Sequence, residues 1–528
     1  MDCKLIIKDV LEKINIRTSN IEERYGDEIH VAAAHDNFKN ICLELHKALK
    51  SPVMMLCASD ERALRGVFVV TCVFMSAKYR RWIFVNLDID GNNPKFDSLS
   101  KEMYSASLFE REMREMFGIE AIGSPDSRRL RLHNEVWPEG FYPLRKDFDK
   151  NSVRAVQAGE YKFRRIEGEG VFEVPVGPVH AGIIGPGHFR FSVAGEPIIN
   201  LETRLGFTHR GIEKLMEGKA VSEALRITEC VTGDSCFGHS LAFSHAVEKI
   251  CAMTVPEGAQ MLRAIFLELE RMYNHAADIG GMALDVGFSY PSALASIIKE
   301  NILALNGKLT GSRYLKNVNR LGGLGKNLTA EDVSSLKEAL KSIAEDLCEL
   351  RAIVYDSVSF MDRVDSTGIL KKTTAEDLGI VGLAARASGI PMDLRKDFPG
   401  IYGKVKFNLI KQASGDALAR LNVRVAEFEE SVSIIMQLLE KMSKHNANLT
   451  SAEIKFKAGS ALGYAEGWRG AILYWVKLND AGVIERCKIV DPSFHNWEGL
   501  SFAVLGNIIP DFPLCNKSFD LSYPGNDL

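Results

Sequence analysis

Thr329-Ala330-Glu331-Asp332-Val333 opens a run in which Val333, Leu336, Leu340, Ile343, Leu347, Leu350 and Val354 recur at alternating steps of three and four. A second run repeats the pattern with Leu418, Leu421, Val425, Phe428, Val432, Ile435 and Leu439. That spacing keeps one apolar stripe on one face of a helix, and it is the spacing with which antiparallel helices pack at a crossing near 20°. Thr329 is a residue type suited to cap the first of the two. Both therefore read as long core helices of a bundle, with no cofactor role of their own.

Working outward, the helical character extends back to about residue 202. Thr254-Val255-Pro256-Glu257 reads as a capping box with proline in the first turn, followed by Leu262, Ile265, Leu269 and Met272 at helical spacing. Residues 171 to about 201 read as strands with a turn at Ala194-Gly195-Glu196, and residues 450–528 as short strands and loops. Upstream, Val53–Ala58, Val67–Met75 and Trp82–Ile89 are β-branched and aromatic runs, and Ser98–Phe117 turns helical. The expected fold class is α+β, with a small α/β sandwich-like domain over 1–150, a charged linker over 151–170, and a mainly α-helical domain over 171–528 that begins with a short β-sheet.

Composition limits the function. The 528 residues are 46% hydrophobic and 25% charged, with a formal net charge of −4, and a pI near 6.4. Nothing there favours nucleic acid, which calls for a basic patch. The ten cysteines include no Cys-x-x-Cys pair and mostly lie in apolar runs, so buried reduced thiols are expected rather than a metal cluster or disulfide scaffold. The longest apolar run, Gly66 to Met75, is well short of the ~20 residues a membrane span needs. The N-terminus lacks a signal-peptide core. A soluble chain, attached to a membrane through partners, is the expectation.

Several motifs occur in a recognisable order. Phe109-Glu110-Arg111-Glu112-Met113-Arg114-Glu115-Met116-Phe117-Gly118-Ile119, then Pro125-Asp126-Ser127-Arg128-Arg129-Leu130, then Tyr142-Pro143-Leu144-Arg145-Lys146-Asp147-Phe148 resemble the signature of the NuoC-type (30 kDa) subunit of respiratory complex I and its hydrogenase counterparts. The resemblance implies an assembly domain that docks on iron–sulfur subunits through Arg128, Arg129, Arg145 and Lys146. From Gly177 onward the motifs are Gly177-Pro178-Val179-His180, Pro186-Gly187-His188-Phe189-Arg190, His209-Arg210-Gly211-Ile212-Glu213-Lys214, Ala246-Val247-Glu248-Lys249, Leu284-Asp285-Val286-Gly287, Arg386-Ala387-Ser388-Gly389 with Asp393 and Arg395, and Glu466-Gly467-Trp468-Arg469-Gly470. These resemble the NuoD-type subunit and the homologous [NiFe]-hydrogenase large subunit, and the fusion of both parts resembles the formate-hydrogenlyase branch.

In that branch four cysteine thiolates hold the nickel–iron centre, because soft sulfur ligands suit nickel. Here Phe237-Gly238-His239-Ser240 marks the first ligand pair, yet the ligand positions read Thr232 and Ser235; at the C-terminus they read Ser522 and Gly525. Cys230, Cys236 and Cys515 lie near but off the required spacing. The family's proton-relay glutamate position holds Gly185, and the complex I positions for a quinone-binding tyrosine and histidine hold Gly233 and Ile184. The chain also stops three residues past Gly525, leaving little of the tail that a maturation protease removes from active relatives.

The resemblance therefore implies the large subunit of a membrane-associated oxidoreductase with its nickel chemistry lost, with a quinone-site subunit and an active [NiFe]-hydrogenase as the alternatives. It implies a NuoB-like small subunit carrying an iron–sulfur cluster, a ferredoxin-like subunit, and NuoH-like and antiporter-like membrane subunits, with this chain peripheral on the cytoplasmic side. Asp285, Arg469 and His239 are the candidates for polar groups of the altered cavity, with Asp285 and Arg469 as a pair able to orient a quinone head or other acceptor. His180 and His188 are weaker candidates. Loss of the metal is expected to leave a solvated pocket among them.

Overall fold

The computed structural model describes residues 3–14, 21–153, 159–181, 184–442 and 454–528. The N-terminal part begins with helix α1 (Cys3–Lys13), strands β1 (Ile21–Arg24) and β2 (Glu28–Ala33), and helix α2 (His35–Leu49). Strands β3 (Met55–Glu61), β4 (Val67–Ser76) and β5 (Arg81–Asp90) complete a five-stranded sheet of order β1-β2-β5-β4-β3. All neighbours are antiparallel except β2 and β5, the pair that α2 allows to run parallel by crossing over. The strands read as continuous apolar runs because both faces are covered, α2 packing on one and the C-terminal part on the other. The helix expected over 98–117 starts later, as α3 (Ser107–Phe117), and Gly118 ends it at φ 69°.

The C-terminal part opens with an antiparallel sheet of β6 (Val171–Val176), β7 (His188–Ala194) and β8 (Ile198–Arg204), with the expected turn between the last two. Helices α4 (Cys236–Ile250), α5 (Glu257–Asp285), α6 (Ser289–Thr310), α7 (Ala330–Asp356) and α8 (Ala417–Met442) then form the bundle. The two striped runs are α7 and α8, and Thr329 caps α7 in a complete capping box with Asp332. Both contribute, as expected, to a bundle, centred on α5, which packs on α6 and α8. The capping box expected at Thr254 does not form. Helix α5 starts at Glu257 with Pro256 itself as its N-cap and no side-chain cap, since Thr254 lies two residues too early.

The last segment is more ordered than its sequence suggests. Strands β9 (Gly459–Glu466), β10 (Ala471–Leu478) and β11 (Ile484–Val490) form an antiparallel meander, followed by helices α9 (Pro492–Ala503), α10 (Phe512–Phe519) and α11 (Tyr523–Asp527). Helix α4 lies so close on β9 that a Cβ at Gly463 would sit 2.0 Å from the Ala242 carbonyl oxygen, so only glycine fits.

The linker expected over 151–170 has its central residues 154–158 outside the described set. Its later part is pinned: the Tyr161 hydroxyl and the Arg164 amide both donate to Glu202. One apolar cluster runs through β3–β5 and α3 into Leu394, Leu462, Trp475 and Phe494, so the two parts share a core. Charge seals that seam. Lys488 lies buried between Glu112 and Glu213, at 2.6 and 3.2 Å, and Glu112 also holds Arg131.

The basic residues assigned to docking on partner subunits are engaged within the chain. Arg128 pairs with Asp126 and Glu202, and Arg129 donates to the Trp137 and Pro138 carbonyls. Arg145 donates to the Phe117 carbonyl, and Lys146 pairs with Glu217 and donates to the Glu485 carbonyl. Arg128 and Lys146 thereby bolt one part of the chain to the other.

Candidate functional site

The four metal-ligand positions converge. Thr232 and Ser235 lie in the turn that enters α4, and Ser522 and Gly525 in the entry to α11. The Ser522 hydroxyl donates to Thr232 Oγ1 at 2.9 Å and accepts the Gly525 amide at 2.9 Å, capping α11. Thr232 and Ser235 donate to Asp234, and Trp468 Nε1 donates to Ser235 Oγ at 3.0 Å. This donor set does not fit a nickel–iron centre: it has three hydroxyls already bonded to their neighbours, a glycine with no side chain, and no thiolate. Cys236 turns its thiol to the Gly233 carbonyl, with burial pushing its pKa upward. Cys230 is exposed, and Cys515 is buried beside Arg420 with its thiol pushed up to about 11 by burial. Among the described residues, no group of three or more His, Cys, Asp or Glu side chains is placed to hold a metal ion.

What fills the centre is charge. Arg469 does not pair with Asp285. Its guanidinium takes Asp234 in a two-pronged bond at 2.7 and 3.0 Å, stacks on Trp468 at 3.8 Å, and reaches Asp520. Asp285 lies at the exposed end of α5, where burial raises its carboxyl and Lys517 counteracts. The reason is helix length: α5 runs on to Asp285, past Asp278, the residue that faces the interior. Burial opposes ionisation of Asp520, but Lys517 and Arg469 prevail and hold it at about 2; its neighbour Asp278 is pushed well above the carboxylate range, by burial first and then by Asp520. The two neighbouring carboxyls are thus shifted in opposite directions, and Arg424 pairs with Asp278 at 2.8 Å.

His239 is fully buried and bonded on both sides. Nε2 donates to Asp491 at 3.0 Å and Nδ1 accepts from the Tyr474 hydroxyl at 2.9 Å, an assignment that follows because the carboxylate only accepts. Asp491 also caps α9 through the Ser493 amide at 2.7 Å. Its carboxyl sits where a side chain at position 525 would go: a Cβ on Gly525 would lie 2.6 Å from Asp491 Cγ and Oδ2. A Cβ at Gly185 would meet the Tyr523 ring at 2.7 Å, so the relay-acid position is also filled. Of these glycines, Gly233 alone faces open space. The polar groups expected around a void thus bond to one another instead.

His180 and His188 are stitches in one loop: His180 Nε2 donates to the Gly187 carbonyl at 2.7 Å and His188 Nδ1 to the Gly177 carbonyl at 3.2 Å. Burial lowers the pKa of His188, and its Nε2 has no partner among the described residues. Ile184 is exposed on the same loop.

The sequence reading missed Asp234, Asp491 and Asp278, and saw in Asp520 only a marker of the C-terminal ligand pair; these four acids hold the centre. It also missed the full extent of a buried ionic lattice behind it. Glu427 takes Arg386 at 2.7 Å and His275 at 3.1 Å; Arg386 takes Glu466 at 2.8 Å; Glu268 takes Arg271 and Arg395, each at 3.1 Å. The available signal was charge inside apolar helical runs, as at Glu268 and Arg271 between Leu267 and Met272.

Comparison with known proteins agrees with this anatomy. Residues 31–153 match the family of the respiratory-chain NADH dehydrogenase 30 Kd subunit and residues 285–457 that of the 49 Kd subunit. The chain is 32% identical to formate hydrogenlyase subunit 5 of Escherichia coli, over 90% of this chain and 84% of that one. It is 30% identical to hydrogenase-4 component G of the same organism, over 90% and 83%. It is also 30% identical to NADH-quinone oxidoreductase subunit 4 of Thermus thermophilus, over 66% and 92%. Among solved structures, a chain of the membrane-bound sulfane sulfur reductase, an archaeal respiratory membrane complex, shares the fold with a TM-score of 0.64 and 24% identity, over 68% of this chain and 99% of that one. The chain belongs to the family of large subunits shared by respiratory-chain NADH dehydrogenase and the formate-hydrogenlyase-type hydrogenases, with the 30 Kd-type and 49 Kd-type parts fused in one polypeptide.

Proposed function

We propose that this chain is the nickel-free large subunit of a membrane-associated oxidoreductase complex, and that its former metal site serves as a closed structural junction. The observation that carries the reading is the convergence of Thr232, Ser235, Ser522 and Gly525 with no thiolate among them and with a direct hydrogen bond across the two pairs. Hydroxyls do not replace bridging thiolates, and the space that a fourth ligand needs is taken by Asp491.

The quinone-site alternative needs free polar groups at the centre. Arg469 and His239 are both committed to partners within the chain, which favours the structural reading. The exposed Gly233 and its neighbour Asp234 form the rim on which an iron–sulfur small subunit would pack. Among the described residues no helix is long and apolar enough to cross a membrane, so the membrane subunits of the NuoH-like and antiporter-like kind would supply the attachment, with this chain peripheral on the cytoplasmic side.

The test is elemental analysis of the intact complex purified from membranes, together with a hydrogen-evolution assay. Iron and acid-labile sulfide from the partner subunits are expected, with no stoichiometric nickel and no hydrogen turnover. Stoichiometric nickel that co-purifies with this chain would overturn the proposal.

A further inference from the structure

A second feature lies at the far end of α4, ten residues and therefore about 15 Å from Ser235. A cavity of about 640 Å³ opens there, between the C-terminal half of α4, the start of α5, the segment 394–402 and β9. Tyr25, from the β1–β2 hairpin, closes it on the N-terminal side. Its volume lies in the ordinary range for a small-molecule site, roughly 300–1,000 Å³.

We propose that this cavity is a binding site for a small uncharged aromatic compound bearing one hydroxyl or amide N–H, which it donates to His245 Nε2. Three observations select that chemistry. First, the walls supply aromatic rings: Tyr464 and Phe398 pack against each other at 5.1 Å, Phe398 is stacked on the fully buried Trp82 at 5.0 Å, and Tyr25 and Tyr402 also line the cavity. A wall braced in this way is pre-formed, so a flat ligand binds without ordering it.

Second, the charges that border the cavity are already matched. Lys249 pairs with Asp27 and Glu28 at 2.8 and 2.9 Å, and Arg263 with Glu248 at 2.6 Å. Arg395 pairs with Asp393 at 2.7 Å and Glu466 with Arg386 at 2.8 Å. A charged ligand would lose its hydration and find no counter-ion, a penalty that an uncharged one escapes.

Third, one acceptor is left over. His245 Nδ1 donates to the Tyr464 carbonyl at 3.4 Å, which fixes Nε2 as the bare lone pair, and Nε2 has no hydrogen-bond partner among the described residues. Burial lowers the imidazole pKa to about 4, so the ring stays neutral and accepting at physiological pH. A ligand donor at Nε2 would satisfy it. This assignment is independent of the reading of the former metal site, because it uses none of the four ligand positions and neither Arg469 nor His239.

The experiment uses the full chain with 2-naphthol and naphthalene as probes, by fluorescence titration. The intact protein is expected to bind both, 2-naphthol more tightly. His245→Phe keeps the ring packed on Tyr464 and removes the acceptor; it should weaken 2-naphthol by roughly fivefold and leave naphthalene unchanged, as loss of one neutral hydrogen bond does. Val255→Trp, at the half-buried rim, should abolish both by filling the mouth. Retained naphthalene binding in His245→Phe shows that this variant is folded. The proposal is overturned if the intact chain binds neither probe, if His245→Phe treats the two probes as the intact protein does, or if Val255→Trp binds both normally.

Discussion

Gly525→Ala is a one-carbon test of whether the former metal site is closed. The added Cβ would stand 2.6 Å from Asp491 Cγ and Oδ2 and 2.9 Å from Oδ1. A flexible side chain would swing aside at little cost, but Asp491 is short and held at both oxygens, by His239 at 3.0 Å and the Ser493 amide at 2.7 Å. Relief therefore means backbone movement in α11 or breakage of one of those buried bonds. Overpacking costs about 1–3 kcal/mol, and a buried group stripped of its partner costs about 1–3 kcal/mol; the less costly route decides, so about 2 kcal/mol of destabilisation is expected. Urea unfolding of Gly525→Ala, Asp491→Ala and the double variant closes a cycle. With the carboxyl gone the new Cβ has room, so the substitution at 525 should be less harmful by about 1–2 kcal/mol in the Asp491→Ala background. Additive effects, or a Gly525→Ala variant as stable as the parent, would refute the closed-site argument. The same obstruction meets Gly525→Cys, so restoring the four cysteines without also changing Asp491 should not rebuild a nickel site.

Two further outcomes follow from buried charge. Lys488→Met removes the cation between Glu112 and Glu213; breaking such a buried pair costs about 3–5 kcal/mol, and limited proteolysis should show the N-terminal part released earlier in urea, whereas unchanged cleavage would remove the seam from the stability argument. Burial opposes ionisation of Glu427, but Arg386, His275, Arg271 and Arg395 outweigh it and hold the carboxyl well below its ordinary range. Its folded pKa is thus below its unfolded value of about 4.3, so its contribution is present above that pH and lost as the pH falls below it. Glu427→Gln should be less stable at pH 7 and show a flatter loss of stability from pH 5 to pH 3; an acid limb as steep as the parent's would contradict this.

How much of this was legible depended on the type of signal. Helices α7 and α8 were readable because their stripes keep strict register over seven positions each, and β4 and β5 because both faces are buried. The helices after β11 were not: α9 has apolar residues all round and so no stripe, and α11 is a single turn whose start is set by a Ser522 hydrogen bond. The four ligand positions were legible from neighbouring motifs, as was their loss. The ion pairs around them were not, because Arg469 and Asp234 are 235 residues apart, and nothing local tells a guanidinium which of several acids it will meet. The intrachain partners of the docking basics were hidden for the same reason. Lys146 finds Glu217 and Glu485 only once β11 and the segment before α4 have folded against the N-terminal sheet.

A metal site normally helps to hold its own ligands together, so the convergence of four positions that carry no thiolate needs another cause. The clamps are visible. Asp527 accepts from the Gly206 amide, the Thr208 amide and the Thr208 hydroxyl, at 2.7 to 2.9 Å, and His209 donates to the Asp527 carbonyl. Arg210 spans the two sides: its amide donates to the Leu528 carbonyl, while its guanidinium donates to the carbonyls of Cys230 and Val231, immediately before Thr232. The motif residues His209 and Arg210 therefore tie the α11 turn to the α4 turn from outside the former site, by bonds that need neither thiolate nor nickel. Inside it, Arg469 bridges Asp234 and Asp520. The scaffold is thus held by contacts separate from the four ligand positions, so their convergence does not depend on which residues stand there.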